Sequence, residues 1–200
     1  MISSILLAAG LSSRMKGENK LTKEIKGIPL INYTIKNILG SSVNEIIIVL
    51  GHEKEVLESL IENNKKIKLI YNINYRNGIA SSIKTGVKNI SKNAEAFFIS
   101  LGDMPNVNQN IYNKLIKARY NYNKKLNRKH KKDIIIPEYE DVKGNPILFS
   151  ALMKNQIMSI QGDDGAKIII DSNKNKILNV KINNKSIIED FDTHENFENL

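Results

Sequence analysis

The residues best placed to do chemistry come early. The apolar run Ile2-Ser3-Ser4-Ile5-Leu6-Leu7 ends in Ala8-Ala9-Gly10-Leu11-Ser12-Ser13-Arg14-Met15-Lys16-Gly17-Glu18-Asn19-Lys20. Small residues after a buried strand let backbone amides turn inward and crowd up to an anion. Arg14 then offers a planar fork to phosphate oxygens, and Lys20, six positions on, a compact point charge. Amide donors plus two cations at the carboxyl end of a first strand describe a seat for a nucleoside triphosphate. Cations are needed there because charge builds on the bridging oxygen as pyrophosphate leaves, and because the phosphates must be held in line. The loop is neither GxxxxGK[ST] nor GxGxxG, and its first three residues alone are equally compatible with a tight strand-to-loop turn.

Leu101-Gly102-Asp103-Met104-Pro105 closes another buried run. An aspartate at such a strand end projects its carboxylate into the crevice outside the sheet, where Mg²⁺ carried by phosphate is the fitting partner. Magnesium favours oxygen ligands and takes only one or two protein carboxylates. The competing role is a turn cap. Near the end, Asp190 and Asp192 flank Phe191, so an extended backbone would put both on one face, and either could complete a metal site opposite Asp103. Asp192 or Thr193 also suits the N-cap of a last helix over Glu195–Leu200.

Asn72-Ile73-Asn74-Tyr75-Arg76-Asn77-Gly78-Ile79-Ala80-Ser81-Ser82 follows a third strand and opens a helix. Gly78 permits close approach, and Ser81 and Ser82 suit contacts to base, ribose or phosphate, or simple helix capping. Gly144-Asn145-Pro146 and Gly162-Asp163-Asp164-Gly165 read as polar turns. His52, His130 and His194 lack metal-ligand spacing and read as exposed.

Positioning these groups requires a sheet. Strands are expected at Ile5–Ala9, Glu45–Leu50, Lys66–Tyr71, Ala96–Leu101 and Asp133–Pro137. Helices are expected at Leu30–Leu39, Glu53–Asn63, Ile79–Ile90 and Ile111–Tyr120, each with apolar residues at helical spacing. Continuous apolar strands between amphipathic helices imply an α/β chain, a three-layer α/β/α Rossmann-like fold with a mainly parallel sheet. The second half is less regular: Pro146–Leu152 as a strand leading into a helix, Asp164–Asp171 as a short helix, Ile177–Ile182 as a strand. With no linker or repeat, residues 1–200 read as a single domain.

The 200 residues contain no cysteine, which removes disulfides, thiolate metal sites and a cysteine nucleophile, and fits a reducing compartment. The amino terminus lacks the basic n-region of a signal peptide, and no apolar run approaches the roughly 20 residues of a spanning helix, so a cytoplasmic chain with no membrane partner is expected. Six lysines and arginines behind the +9 net charge lie in residues 123–132. That run reads as a solvated loop, and with no aromatic stacking platform beside it no nucleic acid partner is expected.

Six segments in order (LAAGLSSRMKGENKL, NINYRNGIASSIKTGV, LGDMP, GNPILF, GDDGAK and DFDT) resemble the molybdenum-cofactor cytidylyltransferase family, within a nucleotidyltransferase superfamily that includes sugar-nucleotide enzymes. The resemblance covers essentially the whole chain. It implies a nucleotidyltransferase fold and transfer of CMP from CTP to molybdenum-molybdopterin with release of pyrophosphate; a molybdoenzyme would receive the product. By resemblance, Leu7, Ala8, Ala9 and Gly10 cradle CTP, Arg14 and Lys20 grip its phosphates, and Asp103 and Asp192 hold Mg²⁺. Asn72, Gly78 and Ser82 contact nucleotide or substrate, and Gly144, Asn145 and Pro146 face the pterin. The chain departs from the family pattern at Lys16, where a glycine is frequent, and at Lys167, where an arginine is. His194 and Asn196 replace a proline and an aspartate. A guanylyltransferase of the same pathway, a sugar-1-phosphate enzyme and a non-catalytic cofactor chaperone are the alternatives.

Overall fold

The computed structural model describes residues 1–11, 19–124 and 126–191. Its strands are β1 (Ile2–Ala8), β2 (Glu24–Ile25), β3 (Ile28–Pro29), β4 (Glu45–Leu50), β5 (Ile67–Tyr71), β6 (Ala96–Leu101), β7 (Ile134–Tyr139), β8 (Val142–Lys143), β9 (Ile147–Ser150) and β10 (Ile177–Lys181). Its α-helices are α1 (Leu30–Leu39), α2 (Lys54–Leu60), α3 (Ile79–Asn89), α4 (Gln109–Asn123), α5 (Lys154–Met158) and α6 (Lys167–Ser172).

The main sheet runs β10-β7-β9-β6-β1-β4-β5, with β8 paired to β7. β5, β4, β1 and β6 are mutually parallel, so their carboxyl ends share one edge. β9 enters antiparallel between β6 and β7, and β10 is again parallel to β7. The sheet is therefore mixed but mostly parallel, with apolar clusters on both faces.

Alternation along each strand divides the core. Leu6, Ile46, Ile48 and Phe98 pack on one face against Leu30, Ile31, Ile35 and Ile38 of α1 and Ile111, Tyr112 and Leu115 of α4. Ile5, Ile47, Val49 and Phe97 pack on the other against Ala80, Ile83 and Val87 of α3 and against Ile157 and Ile169. Phe98 meets Tyr112 edge-on at 5.0 Å, and Phe97 stacks on Phe149 at 6.0 Å. α3 lies so close to β1 that a Cβ on Gly86 would collide with the Ile5 side chain. Asn108 caps α4, its side chain accepting from the amides of Asn110 and Ile111.

The regular elements fall where the apolar spacing places them, within a few residues. α2 is shorter than its pattern, because Ile61 turns extended after Leu60. The β2–β3 hairpin, carried by Lys26 (φ 52) and Gly27 (φ 77), adds a turn that hydrophobic spacing did not signal. Among the described residues no helix is long and apolar enough to cross a membrane. The expected helix at 195–200 lies outside the described residues.

Candidate active site

A cleft of about 460 Å³ opens at the shared carboxyl edge of β1 and β6. Leu7, Ala8, Ala9, Gly10 and Leu11 form one wall, and Leu101, Gly102 and Asp103 the adjoining one. Lys20 and Leu21 close one flank; Tyr75, Arg76, Gly78, Ile79, Ser82 and Asp163 close the other. The two sequence segments that could hold a polyphosphate and its cation thus meet in one space, although 83 positions separate Lys20 from Asp103.

The backbone at Asp103 is held from three sides. The Gly102 amide donates to the Leu7 carbonyl at 3.1 Å, and the Gly102 carbonyl accepts from the Thr34 hydroxyl of α1 at 3.0 Å. The Asp103 carbonyl accepts from the Phe191 amide at 2.9 Å. One residue beyond, Met104 is buried, and Asn37 of α1 donates to the Pro105 carbonyl at 2.8 Å. Few backbone freedoms remain, so the carboxylate is set by its own two torsions.

Lys20 belongs to a 3-10 turn, Lys20–Thr22, capped by Asn19, whose side chain accepts from the Leu21 amide at 3.1 Å. Leu21, 4% exposed, plugs into the core and fixes the turn. Lys20 Nζ donates to Asp103 Oδ2 as an ion pair. Both side chains keep only about one sixth of their surface, 17% and 15%, so water screens the pair incompletely. Asp103 Oδ1 is buried and has no hydrogen-bond partner among the described residues. Asp103 lines the cleft, and an anionic oxygen without a donor beside it is a position that a hard cation would satisfy. Among the described residues no cluster of three or more histidines, cysteines or acids offers a full protein cage.

On the opposite flank Gly78, with φ +88, brings the start of α3 against the 162–163 turn. A Cβ there would lie 2.6 Å from the Gly162 carbonyl oxygen. Asp163 Oδ1 accepts from the Ile79 amide at 3.2 Å and the Gly162 carbonyl from the Ala80 amide at 3.0 Å. The first amides of α3 are therefore already engaged, and a carboxylate sits at this helix start. That flank is less suited to phosphate than the β1 turn, and better suited to a base or sugar. Ser82 lines the cleft. Asn72 is buried behind the wall, its amide donating to the Ser81 and Ser82 hydroxyls at 2.8 and 3.0 Å, and it orients the serines from outside.

Gly144, Asn145 and Pro146 do not line this cleft. The Asn145 amide donates to the Ile187 carbonyl at 2.8 Å, and the same segment reaches Asp103 four residues later through Phe191. Arg14 and Asp192 lie outside the described residues, as do Ser12, Lys16 and His194. His52 is half-buried, its ring 6.3 Å from that of Tyr75, whereas His130 is exposed. Sequence reasoning missed Tyr75, Arg76 and Asp163 as cleft residues. For Asp163 the available signals were its place in a glycine-bounded turn and in the GDDGAK segment.

Comparison with known proteins places this architecture. The model of the MobA-like NTP transferase domain matches residues 4–177. The chain is 30% identical over 199 residues to the molybdenum cofactor cytidylyltransferase of Escherichia coli K12, covering 98% of this chain and 93% of that protein. Among solved structures it resembles Rv0371c of Mycobacterium tuberculosis H37Rv, with a TM-score of 0.83 and 19% identity over 99% of this chain and 96% of that one. A second structure of Rv0371c is a complex with manganese (TM-score 0.72, 16% identity, 90% of this chain and 88% of that one). A nucleotidyl transferase from Methanothermobacter gives a TM-score of 0.78 at 17% identity, covering 100% and 95%. At such identities the structural likeness speaks for the fold alone.

Proposed function

The chain belongs to the MobA-like NTP transferase family, and from that premise we propose that it transfers CMP from CTP to the terminal phosphate of molybdenum-molybdopterin, releasing pyrophosphate. The observation carrying this reading is the convergence of the β1 turn, Lys20 and Asp103 on one cleft. The choice of cytidine and of the pterin acceptor is supported by the 30% identity, nearly end to end, to the Escherichia coli enzyme. In this reading one domain, residues 1–200, carries the whole reaction.

The triphosphate lies along Leu7–Leu11, with Lys20 and Arg14 on its β- and γ-phosphates. Ser82 and the Gly78–Ile79 wall take the base and ribose, Asn72 holding Ser82 in place from behind. A phosphate oxygen of the acceptor attacks the α-phosphorus in line; the new P–O bond forms as the bond to the β-phosphate oxygen breaks, and pyrophosphate departs with the electron pair. The nucleophile is already ionised, so no general base is required. Asp103 Oδ1, with Asp192, would hold Mg²⁺, which when bound supplies charge neutralisation of the phosphates. The manganese complex of Rv0371c supports a divalent cation on this fold. Lys20, ion-paired with Asp103 in the structure, would turn to the phosphates when substrate arrives. The Gly144–Pro146 turn, through Ile187 and Phe191, shares the backbone that supports Asp103 and is assigned to the acceptor side.

Pyrophosphate release measured with CTP, GTP, UTP and ATP, each with and without molybdopterin, tests the reading. Release with CTP that requires molybdopterin supports it. Preference for GTP would move the chain to guanylyl transfer; release that follows a sugar 1-phosphate would move it to sugar-nucleotide synthesis.

A further inference from the structure

At the other end of the sheet, before the first residues of β6 and β7, lies a second pocket of about 360 Å³. Its wall carries Arg119, Lys124, Arg128 and Lys131, against two carboxylates, Glu95 and Asp133. Both acids are already matched. Asp133, 3% exposed, has Arg128 at 3.2 Å and Lys176 at 3.9 Å. Glu95 meets the amino terminus at 3.1 Å.

Arg119 is the exception. Its guanidinium makes one hydrogen bond, from Nη2 to the Glu95 carbonyl at 3.4 Å, and has no carboxylate within ion-pair distance among the described residues. Its Nε is buried without a hydrogen-bond partner among the described residues. Burial is the largest influence on this group and holds its pKa below the ordinary arginine value. The charges of Glu95 and Asp133 offset part of the cost of taking this guanidinium out of water, but neither forms an ion pair with it among the described residues. Nothing in the reaction above uses it.

We propose that this pocket binds a small phosphate oxyanion, with Arg119 as its partly buried anchor and Lys124 and Lys131 as its outer cations. Arginine fits because its fixed fork presents two donors to adjacent phosphate oxygens, while the lysines add charge without demanding geometry. The concave wall and the small volume favour a compact polyanion over an extended strand. Four residues of the basic segment 123–132 line this pocket: Asn123, Lys124, Arg128 and Lys131.

The test is a titration of the full-length protein with pyrophosphate, and separately with CMP, at constant ionic strength, followed by two-dimensional NMR. The resonances observed are the Arg119 Nε–H and the amides of Tyr120 and Leu152, which report on this pocket and not on the cleft at Lys20. Saturable shifts at these three, weakened at least tenfold by Arg119→Gln and several-fold by Lys124→Gln with Lys131→Gln, support the proposal. The tighter of the two ligands tells free phosphate from phosphate on a nucleoside. Should Arg119→Gln fail to fold, the double lysine variant, at solvent-facing positions, decides. Shifts confined to residues around Lys20 and Asp103, equal shifts with chloride, or binding of a single-stranded oligonucleotide but not of pyrophosphate would each overturn it.

Discussion

The two ends of the sheet solve the same electrostatic problem in opposite senses. At the carboxyl end, Asp103 gives one oxygen to Lys20 and keeps the other buried without a donor among the described residues. At the amino end, the acid Asp133 is held by two cations, and Arg119 lies near Asp133 and Glu95 without an ion pair to either among the described residues. An incompletely matched carboxylate thus lines one pocket and an incompletely matched guanidinium the other, at opposite ends of β6. A half-buried ionic group with an unsatisfied atom weakens a fold, and both proposals above supply the missing partner from a ligand.

The sharpest break in this comparison comes at Asp103. Asp103→Ala is expected to lower pyrophosphate release by about 10³-fold or more while the unfolding midpoint stays close to that of the parent, since removing a transition-state charge partner costs that much. Full activity at saturating Mg²⁺ would refute the metal role. Lys20→Met comes next, with a loss of about 10²-fold in turnover. It should also strengthen divalent-ion binding in the absence of nucleotide, because Asp103 loses the cation competing for it; isothermal calorimetry reads this directly.

Gly78→Ala probes the other flank. Its φ of +88 and the crowded Gly162 carbonyl predict a loss of about 2–3 kcal/mol in urea unfolding and a raised KM for nucleotide. The smallest effect belongs to Tyr112, away from both pockets. Burial pushes its phenol pKa above the ordinary value, with the Ser100 hydrogen bond opposing more weakly. The folded state then holds its proton where the unfolded chain has begun to lose it. Stability from this group is full below about pH 10 and declines as pH rises further, by at most about 1.4 kcal/mol per pH unit. In Tyr112→Phe that part of the decline should be absent from unfolding curves at pH 9 to 11.

Much of the architecture was legible because long apolar runs have few solutions. Glu45–Leu50 and Ala96–Leu101 are buried on both faces, and such strands read as continuous hydrophobic stretches. Direction was not legible: Ile147–Ser150 is as apolar as β6 and β7 on either side of it, and nothing in its composition marks it as antiparallel to both. The β2–β3 hairpin escaped because two-residue strands carry no period, leaving only Lys26-Gly27 as a turn signal.

In the cleft, Leu7–Gly10, Lys20 and Asp103 were readable because each follows or closes a strand, where side chains meet the crevice. Asp163 was not, because its partner Ile79 lies 84 positions away and only the three-dimensional turn joins them. Asn72 shows the reverse case: a polar residue beside a motif, facing the serines from behind the wall.

The central claim is that the β1 turn and Asp103 serve one polyphosphate–metal group. Manganese binding followed by electron paramagnetic resonance, with and without CTP, tests it most directly in the parent and in Asp103→Asn. The expected result is ion binding in the parent that tightens strongly when CTP is present and is lost in Asp103→Asn. Equal binding by parent and variant, indifferent to CTP, would contradict it.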